Sequence, residues 1–433
     1  MTLSSSLEQL RAELSLDLSQ LDVIALDFER AMAAGLRGQS SSLKMLPSFL
    51  GLPTGDEKGD VLAIDFGGTN LRVMAARLDG SRGATIAAVD RFPLVDAKAG
   101  YNLIGASAQG AELFDAIARR LAKIAPDDGS LPLGFTFSFP CEQTAVMRAS
   151  LLHWTKEIQT QGVVGQDVGN LLVTALKRNG LTRVEPRVIL NDTVGTLIAA
   201  AYDAGGVDIG AICGTGHNAC YLEPKHPLTG APMIVNIESG NFDGVAQTRF
   251  DAQLDRTSVN PGGQRLEKMV SGKYLGEILR LVLVEWTEKG FLPKSPRLHE
   301  TNVVSGAVLD QILLDHGDHA AIDRIAREKL QMTGLDAEQR RAVQAVMRLL
   351  ADRSARLASA SFVGIVRHTD PKLQAVHGVA IDGSLYEKMP GYAAELQRTL
   401  EGMLPKAEHP VATRLAKDGS GIGAAIAARV AKG

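Results

Sequence analysis

One carboxylate and four small or polar residues separate two apolar runs in the stretch LAIDFGGTNLR, residues 62–72. The carboxylate is Asp65, and the residues of the turn are Gly67, Gly68, Thr69 and Asn70. Glycines let a backbone approach a ligand closely, and the N–H groups exposed at such a turn bind anions. A carboxylate at the mouth of the turn suits Mg²⁺, which prefers oxygen ligands and usually keeps several waters. The predicted chemistry is phosphate binding beside a metal-binding carboxylate.

A second turn of this kind lies within 207–223, VDIGAICGTGHNACYLE, where Gly214, Thr215 and Gly216 separate two strand-like runs. The first turn fits neither the spaced glycines of a dinucleotide-binding turn nor the GxxxxGK[ST] pattern of a P-loop. Taken alone, it is compatible with an ordinary tight hairpin. The recurrence favours two phosphate-binding turns, which could hold the phosphates of a nucleotide from both sides.

Polar residues beside apolar runs form the second candidate site. They are carried by FSFPCEQ (137–143), HWTKE (153–157), ILNDTVGT (189–196), GTGHN (214–218), NIESGNF (236–242) and RLEKM (265–269). Asp192 follows a strand-like run and precedes a helix of small residues, so a helix N-cap is as good an interpretation as a catalytic carboxylate. Judged singly, Glu238 and Glu267 are better explained as surface carboxylates, and Lys156 as a solvated charge.

The composition places the chain in a broad class. At 433 residues the sequence predicts two or three domains, and 45% hydrophobic with 22% charged residues is ordinary for a soluble globular protein. The net charge of −3 argues against a nucleic-acid partner bound by a broad basic surface. Cys141, Cys213 and Cys220 lack paired spacing, which indicates free thiols. With no apolar run that resembles a signal peptide or a membrane span, we expect a cytoplasmic protein with no membrane partner.

Alternating strand-like and helical runs predict an α/β protein. Amphipathic helices are expected within 5–36, and further helical runs at 105–123, 166–179, 264–286, 334–360 and 391–403. Strand–turn–strand units are expected at 61–78 and 207–223. A third, looser unit is predicted at 376–386, VHGVAIDGSLY, where an Asp-Gly-Ser turn interrupts the strand pattern. The recurrence suggests an internal duplication.

The motifs taken together resemble the eukaryotic-type hexokinase family, including glucokinases of that type. The resemblance is carried by MLPSF (45–49), LAIDFGGTNLRV (62–73), PLGFTFSFPCEQ (132–143), WTK (154–156), NDTVGTLIAAAY (191–202), GTGHNACYLE (214–223), LDRTSVNPGGQRLEKMVSGKYLGEILR (254–280), VAIDGSLY (379–386) and GSGIGAAIAA (419–428). These segments occur in the family's order and near its spacing. They cover nearly the whole chain from about residue 44 onward.

The resemblance implies a fold and an activity. The fold would be a two-lobed, actin-like (ribonuclease H-like) α/β ATPase fold with an active-site cleft between a small and a large domain. By similarity, the small domain would comprise 55–190 plus 420–433, and the large domain 1–54 plus 191–419. The implied activity is ATP-dependent phosphorylation of a hexose, most favourably glucose, at the 6-hydroxyl. Closure of the cleft on sugar would protect ATP from water.

The resemblance also assigns residues to sugar and nucleotide. The sugar set is Ser138, Thr155, Lys156, Asn191, Asp192, Asn218, Glu238 and Glu267. The nucleotide set is Gly67, Gly68, Thr69, Asn70, Thr215 and Gly216 at the phosphates, with Lys273, Thr301, Ser305, Gly383 and Ser384 around the rest of the nucleotide. Asp65 would hold Mg²⁺. Asp192 would accept the proton of the 6-hydroxyl, and Lys156 would stabilise charge on the transferred group or bind sugar oxygens.

The sequence departs from the family pattern at three places. The family's Glu-Trp-Gly-Ala-Phe is here Glu238-Ser239-Gly240-Asn241-Phe242, which puts the preferred hexose in question. Ile422 replaces the basic residue of GSGKG or GSGRG, so nucleotide affinity or phosphate-donor choice could differ. After Lys156, Glu157-Ile158 replace the family's frequent Gly-Phe.

Three functions remain open from the sequence. The first is a kinase that uses ATP and Mg²⁺ with glucose, mannose or fructose as substrate, working as a monomer or homodimer. The second is a sugar-binding sensor with little turnover. The intact Asp65, Lys156 and Asp192 argue against it, because a sensor does not need a general base. The third is an ATPase or a kinase for another small acceptor. The polar set from Ser138 to Glu267 argues against that third function.

Overall fold

The computed structural model describes residues 2–68, 70–127, 129–317 and 319–431. Its helices are α1 (Leu3–Leu14), α2 (Leu18–Leu36), α3 (Gly110–Ile124), α4 (Val168–Arg178), α5 (Asp192–Ala204), α6 (Arg249–Thr257), α7 (Arg265–Val270), α8 (Gly272–Glu288), α9 (Gly306–Leu314), α10 (Ala320–Leu330), α11 (Ala337–Thr369), α12 (Ser384–Lys388), α13 (Tyr392–Met403) and α14 (Gly419–Val430). A 3-10 turn covers Ser239–Asn241.

The strands occur in groups between these helices. They are β1 (Leu46–Pro47), β2 (Lys58–Phe66), β3 (Asn70–Asp79), β4 (Ala84–Pro93), β5 (Val95–Asp96), β6 (Tyr101–Asn102), β7 (Leu131–Phe137), β8 (Cys141–Ala145), β9 (Arg148–Leu151), β10 (Val184–Leu190), β11 (Ile209–Cys213), β12 (His217–Glu223), β13 (Met233–Asn236), β14 (Gly378–Asp382) and β15 (Ala412–Leu415). The order of elements is that of an α/β protein.

Contacts within the chain define two compact units. Unit 1 consists of Met1–Lys44, Ile212–Asn218 and Glu238–Leu415. Unit 2 consists of Met45–Ala211, Ala219–Ile237 and Ala416–Gly433. The domain bounds that the resemblance implies, at residues 55, 190 and 420, stay a prediction.

Unit 2 contains a five-stranded sheet in the order β10-β7-β2-β3-β4. Strands β2 and β3 form an antiparallel hairpin, whereas β7 is parallel to both β2 and β10. Every residue of β7 is buried, as expected for a parallel strand covered on both faces. Because parallel strands end at the same edge of a sheet, the residues that come after β2, β7 and β10 lie together.

Helix α14 packs closely on the same sheet and on α5. A Cβ atom at Gly423 would lie 1.9 Å from the carbonyl oxygen of Gly195, and one at Gly134 would lie 1.9 Å from that of Ala424. No larger side chain fits at these positions without displacement of backbone. The small residues at these positions are therefore what allows α14 to pack closely on α5 and on the sheet.

Unit 1 is mostly helical and is organised around the long helix α11. The Arg353 guanidinium on α11 donates hydrogen bonds to both carboxylate oxygens of Asp251 on α6, at 2.7 and 2.9 Å, and both side chains are buried. Phe28 of α2 packs edge-on against Phe242, with ring centroids 5.0 Å apart. Strands β14 and β15 pair in parallel within this unit.

The hairpins predicted at 61–78 and 207–223 are confirmed as β2–β3 and β11–β12. The third unit, predicted at 376–386, is wrong, because β14 is succeeded by α12 and not by a second strand. Gly383 between them has a φ of 123°, which glycine adopts without strain and which redirects the chain into the helix. The run predicted at 264–286 is divided at Ser271 into α7 and α8.

None of the helices in the described ranges combines the length and hydropathy that a membrane crossing requires. Cys213 and Cys220 are buried, Cys141 is half-buried, and within the described residues none of the three forms a disulfide.

Candidate functional site

The carboxylate of Asp65 lies at the end of β2, directly opposite Arg72 of β3 in the hairpin register. Its Oδ2 atom accepts a hydrogen bond from Arg72 at 2.8 Å and another from the Ser420 hydroxyl at 3.0 Å. Its Oδ1 atom faces the glycine turn, where a Cβ at Gly67 would lie 3.9 Å away. Of the two oxygens, only Oδ2 is hydrogen-bonded to the described residues.

The Lys156 side chain ties the glycine turn to the end of β7. Its ammonium donates to the carbonyl oxygen of Gly67 and, at 3.2 Å, to that of Ser138. It also lies 5.2 Å from the centre of the Phe139 ring, a cation–π contact. Lys156 and Glu157 both have left-handed backbone, with φ of 59° and 65°. Consecutive residues in this region are uncommon and cluster at functional sites.

Asn191 and Asp192 come directly after β10 at the same edge of the sheet. Asn191 is the N-cap of α5, because its Oδ1 accepts hydrogen bonds from the amide and the hydroxyl of Thr193, at 2.9 and 2.7 Å. Asp192 is the first helical residue, and its Oδ1 also accepts from the Thr193 amide at 2.9 Å. The Asp192 carboxylate is therefore not the cap that its sequence context suggested.

The electrostatics of Asp192 differ from those of a surface carboxylate. Burial raises its pKa above the ordinary value, whereas the positive charge of the Lys156 ammonium lowers the pKa. The Asp65 carboxylate raises the pKa further, whereas the Thr193 amide and the nearby Ser138 hydroxyl lower it, with a net increase. These effects place Asp192, Lys156, Asp65 and Ser138 in one cluster within unit 2. Asp192 is half-buried, and a partly buried carboxyl with a raised pKa next to a cation is typical of acid–base sites.

Three further members of the predicted sugar set lie together in unit 1. The Asn218 amide donates to the Glu238 carboxylate at 3.5 Å, and its carbonyl oxygen accepts from the Ser239 amide at 3.1 Å. The Glu267 carboxylate accepts from the His217 amide at 3.2 Å. Glu238 itself has left-handed backbone, with a φ of 54°. The result is an amide and two half-buried carboxylates on adjoining segments, a set suited to hydroxyl groups.

The second glycine turn, also in unit 1, meets the N-terminus of α8. The amide of Gly272 donates to the carbonyl oxygen of Gly214 at 2.8 Å, and the amide of Lys273 to that of Thr215 at 3.3 Å. A Cβ at Gly214 would lie 3.1 Å from the Cα of Gly383, so the turn before α12 is also adjacent. The structure thus brings together Thr215, Gly216, Lys273, Gly383 and Ser384.

Thr301 and Ser305 lie on the loop that precedes α9 and are both exposed. Ser305 is the N-cap residue of α9, and the adjacent Gly306 approaches the Gly272 carbonyl, 3.7 Å from a Cβ built there. The loop is anchored by Glu277, whose Oε1 accepts from the Asn302 amide at 2.5 Å. Both residues are therefore carried by a segment next to the start of α8.

The remaining predicted residues lie beside Lys156 or at the first glycine turn. Thr155, next to Lys156, is half-buried, and its carbonyl oxygen accepts from the Ile158 amide at 3.3 Å. Gly68 continues the first turn, and a Cβ there would meet open space. Thr69 is outside the described residues. Asn70 begins β3.

Two family models described as hexokinase match residues 6–202 and 208–430. The chain belongs to the hexokinase family. Human Hexokinase-3 is 37% identical over 98% of this chain and 47% of its own length. Hexokinase-7 of Oryza sativa subsp. japonica is 36% identical over 97% of this chain and 95% of its own length. The chain spans about half the length of the mammalian relatives it matches.

Solved hexokinase structures have the same fold. A hexokinase crystal structure superposes with a TM-score of 0.88 at 31% identity, covering 99% of each chain. Hexokinase from Schistosoma mansoni complexed with glucose gives a TM-score of 0.85 at 31% identity, over 99% of this chain and 98% of that one. The expected two-lobed, actin-like α/β fold is confirmed by this likeness.

Mg²⁺, which the hexokinase family implies, fits the donor atoms at Asp65. The Oδ1 atom is directed to a glycine turn and is not committed to Arg72 or Ser420. The described ranges contain no cluster of three His, Cys, Asp or Glu residues that could hold a metal alone. Mg²⁺ in kinases is usually held by one or two carboxylates plus substrate phosphates, a role that a single carboxylate can fill.

Arg72, Asp418 and Ser420 belong to the site but were not singled out from the sequence. Arg72 follows the turn by the same number of residues by which Asp65 precedes it. A predicted hairpin at this place therefore already implies that Asp65 and Arg72 are opposite each other. Ser420 and Asp418 are more than 340 residues away from their partners and gave no local signal. Their contacts depend on the packing of α14 against the sheet.

Proposed function

We propose that this chain catalyses the ATP-dependent phosphorylation of a hexose, most favourably glucose, at the 6-hydroxyl, giving hexose 6-phosphate and ADP. The observation that carries the proposal is Asp192, a carboxylate with a raised pKa beside the Lys156 ammonium. Membership of the hexokinase family supports the reaction class. The structurally similar hexokinase complexed with glucose supports the choice of sugar.

In this reaction Asp192 acts as the general base. It accepts the proton of the 6-hydroxyl while the oxygen attacks the γ-phosphorus, and the bond from that phosphorus to ADP breaks. General-base catalysis of this kind contributes about 10²–10⁴ in rate, and it works best when the pKa of the base approaches the working pH. The raised pKa of Asp192 is a shift in that direction.

Lys156 would stabilise negative charge on the transferred group. Its ammonium is held by the carbonyl oxygens of Gly67 and Ser138 and so stays at the first turn. Mg²⁺, when bound, neutralises charge on the β- and γ-phosphates, and Asp65 would hold it through Oδ1. Phosphoryl transfer depends mainly on such positioning and charge stabilisation.

The rest of the nucleotide would bind to groups gathered in unit 1. Thr215, Gly216 and Lys273 meet at the start of α8, and a helix N-terminus favours anions. Gly383 and Ser384 adjoin this turn, and the loop with Thr301 and Ser305 lies next to the same helix start. ATP is the donor that the family implies.

The proposed sugar ligands are Asn218, Glu238 and Glu267 in unit 1, and Ser138, Thr155, Lys156, Asn191 and Asp192 in unit 2. Groups that hydrogen-bond hydroxyls can reject analogues that lack them by as much as about 10⁴–10⁵. Next to Glu238, the Asn241 amide donates to the Glu238 carbonyl at 3.2 Å. Ser239 is fully buried there. We expect Ser239 and Asn241 to make the sugar selectivity of this chain differ from that of its relatives.

The test is a coupled assay of ADP release with Mg-ATP and glucose, mannose, fructose, glucosamine or no sugar. Phosphorus NMR of the product identifies the oxygen that receives the phosphoryl group. Glucose-dependent ADP release with phosphate on the 6-oxygen is the expected result. Sugar binding without ADP release would favour a sensor, and ADP release independent of every sugar would favour another ATPase; either result would overturn the proposal.

Location and assembly stay predictions. Free cysteines suit a reducing cytoplasm, which is where we propose the reaction takes place. A monomer or homodimer is the expected assembly.

A further inference from the structure

The Arg72 side chain is shared between two carboxylates in unit 2. One of its terminal nitrogens lies 2.8 Å from Asp65 Oδ2, and the other lies 3.0 Å from Asp418 Oδ1. The Arg72 side chain is only 11% exposed, so its position is set by these partners and by the surrounding protein. A single guanidinium thus divides its hydrogen bonds between the candidate metal ligand and a residue at the start of α14.

The start of α14 is fitted against this guanidinium. Asp418 has left-handed backbone, with a φ of 55°, at the N-cap position of the helix. A Cβ at Gly421 would lie 2.7 Å from an Arg72 nitrogen, so no larger side chain separates the helix from Arg72. Ser420, between these residues, donates to Asp65 at 3.0 Å. The start of α14 therefore helps to position the Asp65 carboxylate, which lies about 350 residues earlier in the sequence.

A second arginine lies on the other side of Asp418. Arg91 of β4 is the direct cross-strand partner of Arg72, and its guanidinium is 3.9 Å from Asp418 Oδ2. Like charges directly opposite each other on adjacent strands are destabilising. Asp418, with one oxygen towards each arginine, relieves this repulsion and fixes the direction of the Arg72 guanidinium.

The alternative arrangement of Arg72 would affect Asp65. Arginine–carboxylate pairs are frequently bidentate, with two parallel N–H···O bonds. If Asp418 did not bind one nitrogen of Arg72, both nitrogens could turn to Asp65 and occupy Oδ1 as well as Oδ2. Asp65 Oδ1 would then be lost as a metal ligand.

We propose that Asp418 is a positioning residue for the metal–nucleotide complex: it keeps Arg72 on one oxygen of Asp65 and leaves the other for the divalent cation. The inference rests on the proposed function, since it assumes that Asp65 binds the metal of a metal–nucleotide complex. It adds a role for Asp418 and for Arg91, which act on Asp65 through Arg72.

The experiment uses Mn²⁺ as a paramagnetic probe. The relaxation rate of water protons rises when Mn-ADP is immobilised on the protein, and its titration gives the dissociation constant of Mn-ADP for wild type, Asp418→Asn, Asp418→Ala and Asp418→Glu. Loss of a residue hydrogen-bonded to a metal ligand typically weakens metal binding by about 10–100-fold, and because Asp418 acts on Asp65 through Arg72 we expect the lower end, about tenfold, for Asn and Ala. Glu, which keeps a carboxylate, should bind Mn-ADP within a few-fold of wild type.

The matched control is Asp60→Asn. Asp60 pairs with Arg77, another arginine of β3, at 2.7 and 2.9 Å, and within the described ranges it has no hydrogen bond or ion pair to Asp65 or Arg72. This variant should bind Mn-ADP as wild type does. Glucose binding, measured by calorimetry, should be unchanged in every variant, which separates metal positioning from general loss of structure.

The outcomes distinguish the inference from the proposed function. Weaker Mn-ADP binding in Asp418→Asn and Asp418→Ala, with unchanged glucose binding, supports the inference. Variants that match Asp60→Asn, or that lose glucose binding in parallel with Mn-ADP, overturn it while the kinase proposal stands. A wild-type chain that binds no Mn-ADP contradicts the proposed function itself.

Discussion

Asn191 Oδ1 accepts hydrogen bonds from both the amide and the hydroxyl of Thr193, and it thereby caps helix α5 immediately before Asp192. The cap and the candidate base are neighbouring residues with separate tasks. Loss of the Asp192 carboxylate removes only one of the acceptors for the Thr193 amide. Its catalytic role can therefore be tested without removal of the cap.

Removal of the cap should reduce stability. For Asn191→Ala we expect a loss of about 1 kcal/mol in the free energy of unfolding, the typical effect of an N-cap substitution. Urea denaturation monitored by circular dichroism measures it. Asn191→Asp, which keeps an acceptor at the cap, is the control and should retain most of the stability. An alanine variant as stable as wild type would show that the cap contributes nothing.

The stability of the chain should fall in mild acid because of His217. The ring is buried, and burial lowers its pKa from 6.5 to about 4. His217 therefore binds a proton more readily in the unfolded chain than in the folded one. The contribution of its neutral ring to the free energy of unfolding is complete above pH 6.5 and is lost as the pH falls towards 4. The loss attributable to this one group is about 3 kcal/mol.

The measurement compares the pH dependence of unfolding in wild type and His217→Gln between pH 7.5 and 4.5. The substituted chain should lose less stability over this range, because the buried ionisable ring is gone. His153→Gln, at an exposed position, should behave as wild type does. Identical slopes in wild type and His217→Gln would contradict the assignment.

The conformation of the loop that carries Thr301 should depend on the buried ion pair between Arg280 and Glu277. Arg280 donates to Glu277 at 2.9 Å and to the Leu298 carbonyl at 2.8 Å, and Glu277 accepts from the Asn302 amide. Breaking such a pair leaves a buried charge alone and costs about 3–5 kcal/mol. For Glu277→Gln we expect that loss of stability together with faster hydrogen exchange at 298–305.

An exposed pair on the same loop provides the control. Arg297 and Glu300 form an ion pair at 2.7 Å, but Glu300 is exposed to water and Arg297 is only half-buried. Glu300→Gln should leave both the stability and the hydrogen exchange of the loop unchanged, since exposed pairs contribute little. Equal effects of the two substitutions would show that burial of the Glu277 pair is unimportant.

Local sequence patterns were enough to predict the two hairpins, but they did not predict the helix after the third glycine turn. At 62–72 and 207–223, glycine turns between β-forming runs led to paired strands. At 376–386 the same appearance led to a strand and a helix, because the backbone of Gly383 redirects the chain. The order of residue types does not determine the φ angle that a glycine adopts.

The candidate site was predictable where its residues stand at the ends of parallel strands. Asp65, Ser138 and Asp192 stand at or after the ends of β2, β7 and β10, and their motifs are contiguous in sequence. The sequence did not reveal which of Asn191 and Asp192 caps α5, since both can accept the bond. Nor did it reveal the partnership of Arg72 with Asp418, which exists only because α14 packs on the sheet.

The most direct test of the proposed kinase is Asp192→Asn in the glucose-dependent ADP assay. The amide keeps an oxygen for the Thr193 amide but cannot accept the hydroxyl proton, so kcat should fall by about 10²–10⁴ while glucose binding by calorimetry stays near that of wild type. Asp203→Asn makes the same chemical change at an exposed position of α5 and should have full activity. An Asp192→Asn chain that retains wild-type kcat would contradict the assignment of the base and, with it, the mechanism proposed for this chain.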